Sequence, residues 1–374
     1  MFCLSFGGQG STWFPQLCEY WADPRLRPLI ACVIDAAAEE IDWVDPLCVP
    51  FGFDVKSWLD DPSTLPSERV LWTASVSVPL IFATQIACWE RLRHRGIDVE
   101  ALLRRSAGLI GHSQGLIAAM MLSRTGDGTI RNDLLRQFAK YAFCLASRGQ
   151  EVFPQMFPTD EECARAAAAD PRRQLPMPMV SVGGPAQDDV VALVRQYNRR
   201  SSGRSRISVS LWHSPTNMVL TGHRASLIEF QECHGAFFRE RRIVWLYIRS
   251  TCPFHSSLMD AVRPAADADL TRIDFRVPGW TLARPVYSTY DGRNLQDDED
   301  AGVGVYLDVL VRALDWRLPL EAAFGTGGAT QLIDLGPGNE GRRLSRRLLR
   351  DLRMEAPIWS AVAPDGLEGF QADA

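Results

Sequence analysis

The stretch Ala107-Gly108-Leu109-Ile110-Gly111-His112-Ser113-Gln114-Gly115-Leu116-Ile117-Ala118-Ala119-Met120-Met121 decides how this chain is read. Residues 108–110 form a short apolar run that reads as a buried strand. Residues 116–122 are apolar and Ala-rich, which suits a helix. Between them, Gly111-His112-Ser113-Gln114-Gly115 fits G-x-S-x-G, the strand-turn-helix elbow that lifts a serine hydroxyl above the end of a sheet. Glycines at 111 and 115 suit a turn that brings strand and helix backbones close together. The amide after Ser113 falls at a helix start, where unpaired N–H groups favour developing negative charge. The pattern predicts a nucleophilic Ser113 on an α/β sheet. The competing reading is a Gly-rich structural turn whose serine caps the helix.

Working outward, a length of 374 residues suggests two or three folding units at about 150 residues each. The apolar share of 46% is enough for a large core. A net charge of -5 argues against wholesale nucleic-acid binding. Lysine occurs only at 56 and 140, so the basic charge is arginine. Arginines cluster at 199–206, 239–242 and 342–350. The cysteines, at 3, 18, 32, 48, 88, 144, 163, 233 and 252, are odd in number and never in C-x-x-C spacing, which argues against a disulfide framework or a zinc knuckle. The N-terminus lacks the basic stretch of a signal peptide. The apolar segment 70–89 is broken by Thr73, Ser75, Ser77, Pro79 and Gln85, so it reads as a buried helix and not a membrane span. A cytoplasmic setting with no membrane and no nucleic-acid partner is the expectation.

Residues 2–6 look like a first core strand running into Gly7-Gly8-Gln9-Gly10-Ser11. Such a loop can present backbone amides to an anion. It completes neither a P-loop nor a dinucleotide fingerprint. Helical spacing is read over 29–41, 70–95, 130–150, 159–169, 263–272 and 306–314, with a loop over 44–66 and a last core strand over 331–335. The Pro-rich segment 154–178 marks entry into a smaller unit. There, strands are read at 179–182, 207–212, 218–221 and 243–248, and helices at 187–198 and 225–234. That β-α-β-β-α-β order is the ferredoxin-like split unit. The predicted organisation is a core of residues 1–155 and 250–374 with an inserted subdomain over 176–249.

A serine hydroxyl needs a base to become a nucleophile. His112 points away from Ser113 in such a turn, His94 ends a polar helix, and His223 and His234 fall on the small unit. His213 and His255 remain. His255 sits in Pro253-Phe254-His255-Ser256, a short loop after a strand that suits projection into a cleft. On pattern alone, a satisfied structural histidine stays open for both.

Phe6-Gly7-Gly8-Gln9-Gly10, Gly111-His112-Ser113-Gln114-Gly115, Pro253-Phe254-His255-Ser256 and Asp334-Leu335-Gly336-Pro337-Gly338 occur in the order of the malonyl/acyl transferase superfamily, which the chain resembles over residues 6–338. Residues 213–222, with Ala225-Ser226-Leu227, are similar to a segment of fungal members. Those members are the acyltransferase of fungal fatty acid synthase and the starter-unit:acyl carrier protein transacylase domain of non-reducing polyketide synthases. The resemblance implies an α/β-hydrolase-like core carrying a ferredoxin-like (βαββαβ) insert, and ping-pong acyl transfer. It implies Ser113 as nucleophile, His255 as general base, and the backbone amides of Gln9 and Gln114 as the oxyanion hole. It implies acyl-CoA or an upstream synthase as donor, the phosphopantetheine thiol of an acyl carrier protein as acceptor, and no bound cofactor or metal. The histidine is expected to be oriented by a backbone carbonyl, placed in the 336–339 loop.

Two departures stand out. Many starter-unit domains carry cysteine where Ser113 stands, and relatives commonly have Asn where His213 stands. For the acyl pocket, Arg148-Gly149 resembles the malonyl type, whereas residues 143–148 better resemble the fungal acyl branch, in which an apolar residue precedes a shared Arg by three places. That register puts Leu145, with His112, in the pocket and implies an uncharged acyl starter. The alternatives are a malonyl or acetyl transferase of fatty acid synthesis, a thioesterase or esterase, and a catalytically silent carrier-docking module. The arginine clusters at 199–206 and 239–242 are expected to guide an acidic carrier or to be plain solvated surface.

Overall fold

The strands sort into two sheets of five. The computed structural model describes residues 1–170, 172, 174–363, 366, 367 and 370, with the side chain of Arg204 outside that description. In the first sheet the order is β10 (Ile358–Ser360), β9 (Gln331–Asp334), β1 (Phe2–Phe6), β2 (Ser106–Gly111) and β7 (Val286–Tyr287). Every pairing in it is parallel. β1 and β2 are buried along their whole length, as parallel strands covered on both faces must be. Helices cover both. Ala74–His94 is buried over most of its 21 residues, as expected of the interrupted apolar segment. Asn132–Val152 packs against it, and Gly115–Thr125 leaves the elbow to cover the sheet.

The second sheet has the order β6 (Val244–Tyr247), β3 (Met179–Gly183), β5 (Asn217–Thr221), β4 (Ser208–Ser214) and β8 (Leu314–Asp315). The first four are antiparallel neighbours, and β8 adds in parallel to β4. Helices Gln187–Arg200 and Arg224–Glu240 lie on one face, sharing a second core of Val180, Val182, Met218, Leu220, Phe230 and Trp245. The period-two alternation of a strand sends Val180 and Val182 to that core and turns Met179 and Ser181 toward a cavity.

Several elements differ from the sequence reading. The loop over 44–66 contains a one-and-a-half-turn helix, Val55–Asp60, and helix Phe14–Ala22 follows the Gly-rich loop. The helix expected at 306–314 runs instead over Ala301–Leu310, because the Asp300 carboxylate caps it by accepting from Gly302 N–H. The basic run at 342–350 is a helix, Glu340–Asp351, with Leu348 and Leu349 buried. β8 comes from far outside 176–249, so the second sheet is completed by the rest of the chain. Among the described residues, no helix is long and apolar enough to cross a membrane.

Candidate active site

Ser113 sits at the end of β2 with φ at +55°, in the left-handed region. Such strain is tolerated where surrounding structure over-determines it. Here close packing does so. A Cβ on Gly111 would lie 2.1 Å from Gly115 C, and one on Gly115 would lie 2.5 Å from Phe6 O. Only glycine allows strand and helix to approach so closely, and that approach forces the serine outward.

Ser113 Oγ lies 2.7 Å from His255 Nε2. On its other side, His255 Nδ1 lies 3.0 Å from the Arg312 carbonyl. A carbonyl can only accept, so Nδ1 carries the ring proton and Nε2 turns a lone pair to the serine hydroxyl. The orienting carbonyl is therefore that of Arg312, just before β8, and not one in the 336–339 loop. The Arg312 segment is fixed from both sides. Trp316 N–H donates to Trp212 O at 2.8 Å and Asp315 N–H to Thr289 O at 2.8 Å. The Arg312 guanidinium pairs at 2.8 Å with the buried Asp308, which accepts from Ser288 Oγ at 2.6 Å. The 336–339 loop has another task. Gly336 O accepts from Gly7 N–H at 2.7 Å, and Gln85 Nε2 donates to Gly7 O at 2.7 Å, pinning the Gly-rich loop beside the elbow.

His255 is buried, and burial lowers its imidazole to about 4, against opposing backbone contacts from Arg312 and Asp308. At neutral pH it is an unprotonated base. Gln9 has its side chain occupied, with Nε2 on Ser77 Oγ and Oε1 accepting from Ser250 Oγ at 2.9 Å. Among the described residues, nothing accepts from the backbone N–H of Gln9 or of Gln114. The Gln114 side chain is buried with both amide atoms unpartnered, outside the cavity lining.

The cavity beside the dyad encloses about 490 Å³. Its lining divides by exposure. Buried members, including His112, Ser113, Leu211, His213, Phe254 and His255, form the floor. Arg249 and Arg343, both exposed, stand at the rim with the half-buried Arg347. The floor holds no charged side chain among the described residues. His112, one of the two expected pocket residues, lines it. Leu145 does not. Helix Asn132–Val152 is buried on nearly every side, and Leu145 is fully enclosed in the main core. Arg148 lies outside the lining as well. It binds Asp269 through Nε at 2.7 Å and Nη2 at 3.0 Å, and Glu151 through Nη1 at 2.7 Å. Leu211 and Asn217 were missed as site residues. The alternation of β4 and β5 carried that signal once the cavity face was known.

A family model described as starter unit:ACP transacylase in aflatoxin biosynthesis matches residues 4–255. The chain belongs to the starter unit:ACP transacylase family. It is by family an acyltransferase, and its relatives extend into fatty acid synthesis. A fatty acid synthase subunit beta of Gibberella zeae is 27% identical over 350 residues, 89% of this chain and 16% of that protein. The fatty acid synthase beta subunit aflB of Emericella nidulans is 26% identical over 311 residues, 78% of this chain and 14% of that protein. The family member thus spans about a sixth of the length of the curated relatives it matches. A solved malonyl-transacylase, in complex with its type II polyketide synthase acyl carrier protein, superposes with a TM-score of 0.68 at 17% identity, covering 98% of this chain and 99% of that one. The α/β fold with its two sheets is that of the malonyl-CoA:acyl carrier protein transacylases.

Proposed function

We propose that this chain takes an uncharged acyl group from a thioester onto Ser113 and passes it to the phosphopantetheine thiol of an acyl carrier protein, as the starter-loading step of polyketide assembly. The carrying observation is a Ser-His pair on a cavity floor without charge. A malonyl carboxylate held there would need a cation to offset desolvation. Arg148, the arginine of the malonyl-type register, is committed to Asp269 and Glu151. The family match and the carrier-bound transacylase of the same fold support the carrier as acceptor.

In the proposed reaction His255 Nε2 takes the hydroxyl proton as Ser113 Oγ attacks the thioester carbonyl. The oxyanion accepts from the N–H groups of Gln9 and Gln114, each worth about 3 kcal/mol. Collapse breaks the C–S bond, and the leaving sulfur takes the proton from His255. The carrier thiol then enters, gives its proton to His255 and attacks the ester, and Ser113 recovers its proton as it leaves. The reaction so written uses no bound cofactor or metal. The donor is acyl-CoA or an upstream carrier-bound acyl group. The described cysteines are all free, in keeping with a cytoplasmic site of action.

The finer architecture belongs to the same proposal. We read residues 1–155 and 250–374 as a hydrolase-like core and 176–249 as a ferredoxin-like insert. The antiparallel order β6-β3-β5-β4 with two helices on one face supports the insert.

Intact-protein mass spectrometry after exposure to acetyl-, hexanoyl- and malonyl-CoA tests the reading. The expected result is acetyl or hexanoyl adducts that vanish in Ser113→Ala and discharge onto a holo-carrier. Faster malonyl labelling overturns the substrate class. Rapid loss of label to water without a carrier points to a thioesterase.

A further inference from the structure

Four cavity-lining side chains form an unbroken hydrogen-bonded line from the elbow to the second sheet. His112 Nε2 lies 2.9 Å from His213 Nε2, His213 Nδ1 lies 2.7 Å from Asn217 Oδ1, and Asn217 Nδ2 donates to Ser181 Oγ at 3.3 Å. They come from the elbow, β4, β5 and β3, and the reaction described above uses none of them.

The proton positions follow from what each atom can do. With Asn217 Nδ2 turned to Ser181, Oδ1 faces His213 and can only accept, so His213 Nδ1 carries a proton. A neutral ring has one such proton, which leaves His213 Nε2 bare. The 2.9 Å contact between the two Nε2 atoms needs one proton, and it must then belong to His112. His112 Nδ1 is left bare against the backbone, where a Cβ on Gly8 would lie 2.9 Å from it. Two rings thus hold two protons, both directed from the elbow toward the small sheet.

A third proton is opposed chiefly by burial, against the Asn217 hydrogen bond that favours it on His213. Burial lowers His213 to about 4 and His112 well below its ordinary value. The other titratable and charged groups lining the cavity are His255 from the 253–256 loop, Tyr247 on β6, Arg249 after it, and Glu340, Arg343 and Arg347 from helix Glu340–Asp351. Arg347 bonds Thr216 Oγ1, next to Asn217. The Trp316 ring, edge-on to His112 at 5.2 Å, brings no charge. Among the described residues, no carboxylate pairs with either imidazole.

We propose that His213 is a positioning residue. It clamps His112, and with it the strained elbow, to the small sheet, so that Ser113 stays in register with His255. It also keeps the elbow uncharged while His255 passes through its imidazolium form, which a neighbouring cation would disfavour. His213 itself exchanges no proton in the cycle. The inference rests on reading Ser113 and His255 as the acyl-transfer pair.

His213→Gln retains an acceptor at the position of Nε2, whereas His213→Ala and His213→Leu leave the His112 Nε2–H buried and unpaired. Single-turnover acylation of Ser113 at pH 7.5 is expected to fall by up to about a hundredfold in the Ala and Leu variants, the scale set by small misplacements of a reacting group. The Gln variant should stay close to the parent. Its acid limb should also move to higher pH, because His213 no longer competes with His255 for a proton. Ala and Leu variants as fast as the parent, or a Gln variant as slow as the Ala one, overturn the proposal. Imidazole ¹⁵N–¹H spectra of the unaltered chain give a test independent of variant folding and of any substrate. They should show His112 protonated at Nε2 and His213 at Nδ1, both neutral at pH 7. The opposite tautomers, or a charged ring, also overturn it. Because those spectra need no acyl donor, a parent that no thioester labels would fault the proposed function and leave the tautomers to judge the clamp.

Discussion

At the scale of single residues, the proposed reaction depends on a neutral His255. Its acid form is disfavoured by burial, with the imidazole lowered to about 4. The active species is the unprotonated one. Acylation of Ser113 is therefore expected to stay level from pH 8 to about 5 and to drop below that as His255 gains its proton. Stopped labelling across pH 4–8 checks this, and a limb at the ordinary histidine value near 6.5 contradicts it. Asp334, in the Asp-Leu-Gly-Pro-Gly run, carries the opposite stability signature. Its carboxyl is fully buried with no side-chain partner among the described residues, and burial raises it to about 7, against the lowering effects of the Gly336 backbone and the Arg342 charge. The folded form prefers the protonated acid, so its cost appears as pH rises above the unfolded value near 4 and is largest above 7. Asp334→Asn should stabilise the fold at pH 8 by about 2–4 kcal/mol and lose that advantage by pH 4. Denaturant melts at the two pH values decide, and an equal effect at both would show that the acid ionises freely. Ser113 was legible from the sequence because the elbow has a side-chain signature. The choice between His213 and His255 was not, since it rests on which strand end meets β2 in space. The Arg312 carbonyl left no trace at all, because every residue has one.

At the scale of elements, glycines with the same name do different things. In the elbow, a Cβ at Gly115 would meet Phe6 O at 2.5 Å and Gly7 O at 2.6 Å, both backbone atoms that cannot step aside. Gly235, inside helix Arg224–Glu240, has only the flexible Arg239 side chain nearby, at 3.4 Å. Gly115→Ala is expected to destabilise by more than about 3 kcal/mol or to abolish acylation, as overpacking against rigid backbone does. Gly235→Ala should raise stability by about 0.5–1 kcal/mol through helix propensity. Paired thermal melts test both, and an elbow variant that melts and acylates like the parent would refute the close-packing account. Elements with long periodic patterns were readable, including Ala74–His94 and the four antiparallel strands of the second sheet. β8 and β10, with two and three residues, are too short to show alternation. Helix Glu340–Asp351 was readable in principle, since Leu344 and Leu348 recur at helical spacing between the arginines. Leu145 was misplaced for a related reason. A helix apolar on nearly every side does not announce which side faces a ligand.

At the scale of the whole molecule, the cavity belongs to both sheets, and β8 locks them by crossing from one body of the chain to the edge of the other. That arrangement brings the C-terminal ends of β1 and β2 against the inner face of β3, β4 and β5, the usual place for a ligand in an open parallel sheet. It also decides which arginines stand where the proposed carrier would arrive. The chain is acidic overall, at -5, yet helix Glu340–Asp351 carries arginines at 342, 343, 346, 347 and 350. Arg343 and Arg347 line the cavity, with Arg249 beside them. The clusters at 199–206 and 239–242 sit at the ends of the two helices on the far face of the small sheet, and their described side chains contribute nothing to the lining. Long-range attraction to an acidic carrier acts on the association rate and weakens with salt over a Debye length of about 8 Å. Charge reversal of Arg343 and Arg346 should therefore slow transfer to a holo-carrier by at least about tenfold at low ionic strength, with the deficit narrowing at 0.5 M salt. Reversal of Arg241 and Arg242 should do far less. The comparison is made against discharge to free pantetheine, whose neutral chain feels no such steering, so the ratio of the two rates isolates docking from chemistry. If the 241–242 reversal proves the more damaging, or if salt leaves the ratio unchanged, the carrier approaches by another face.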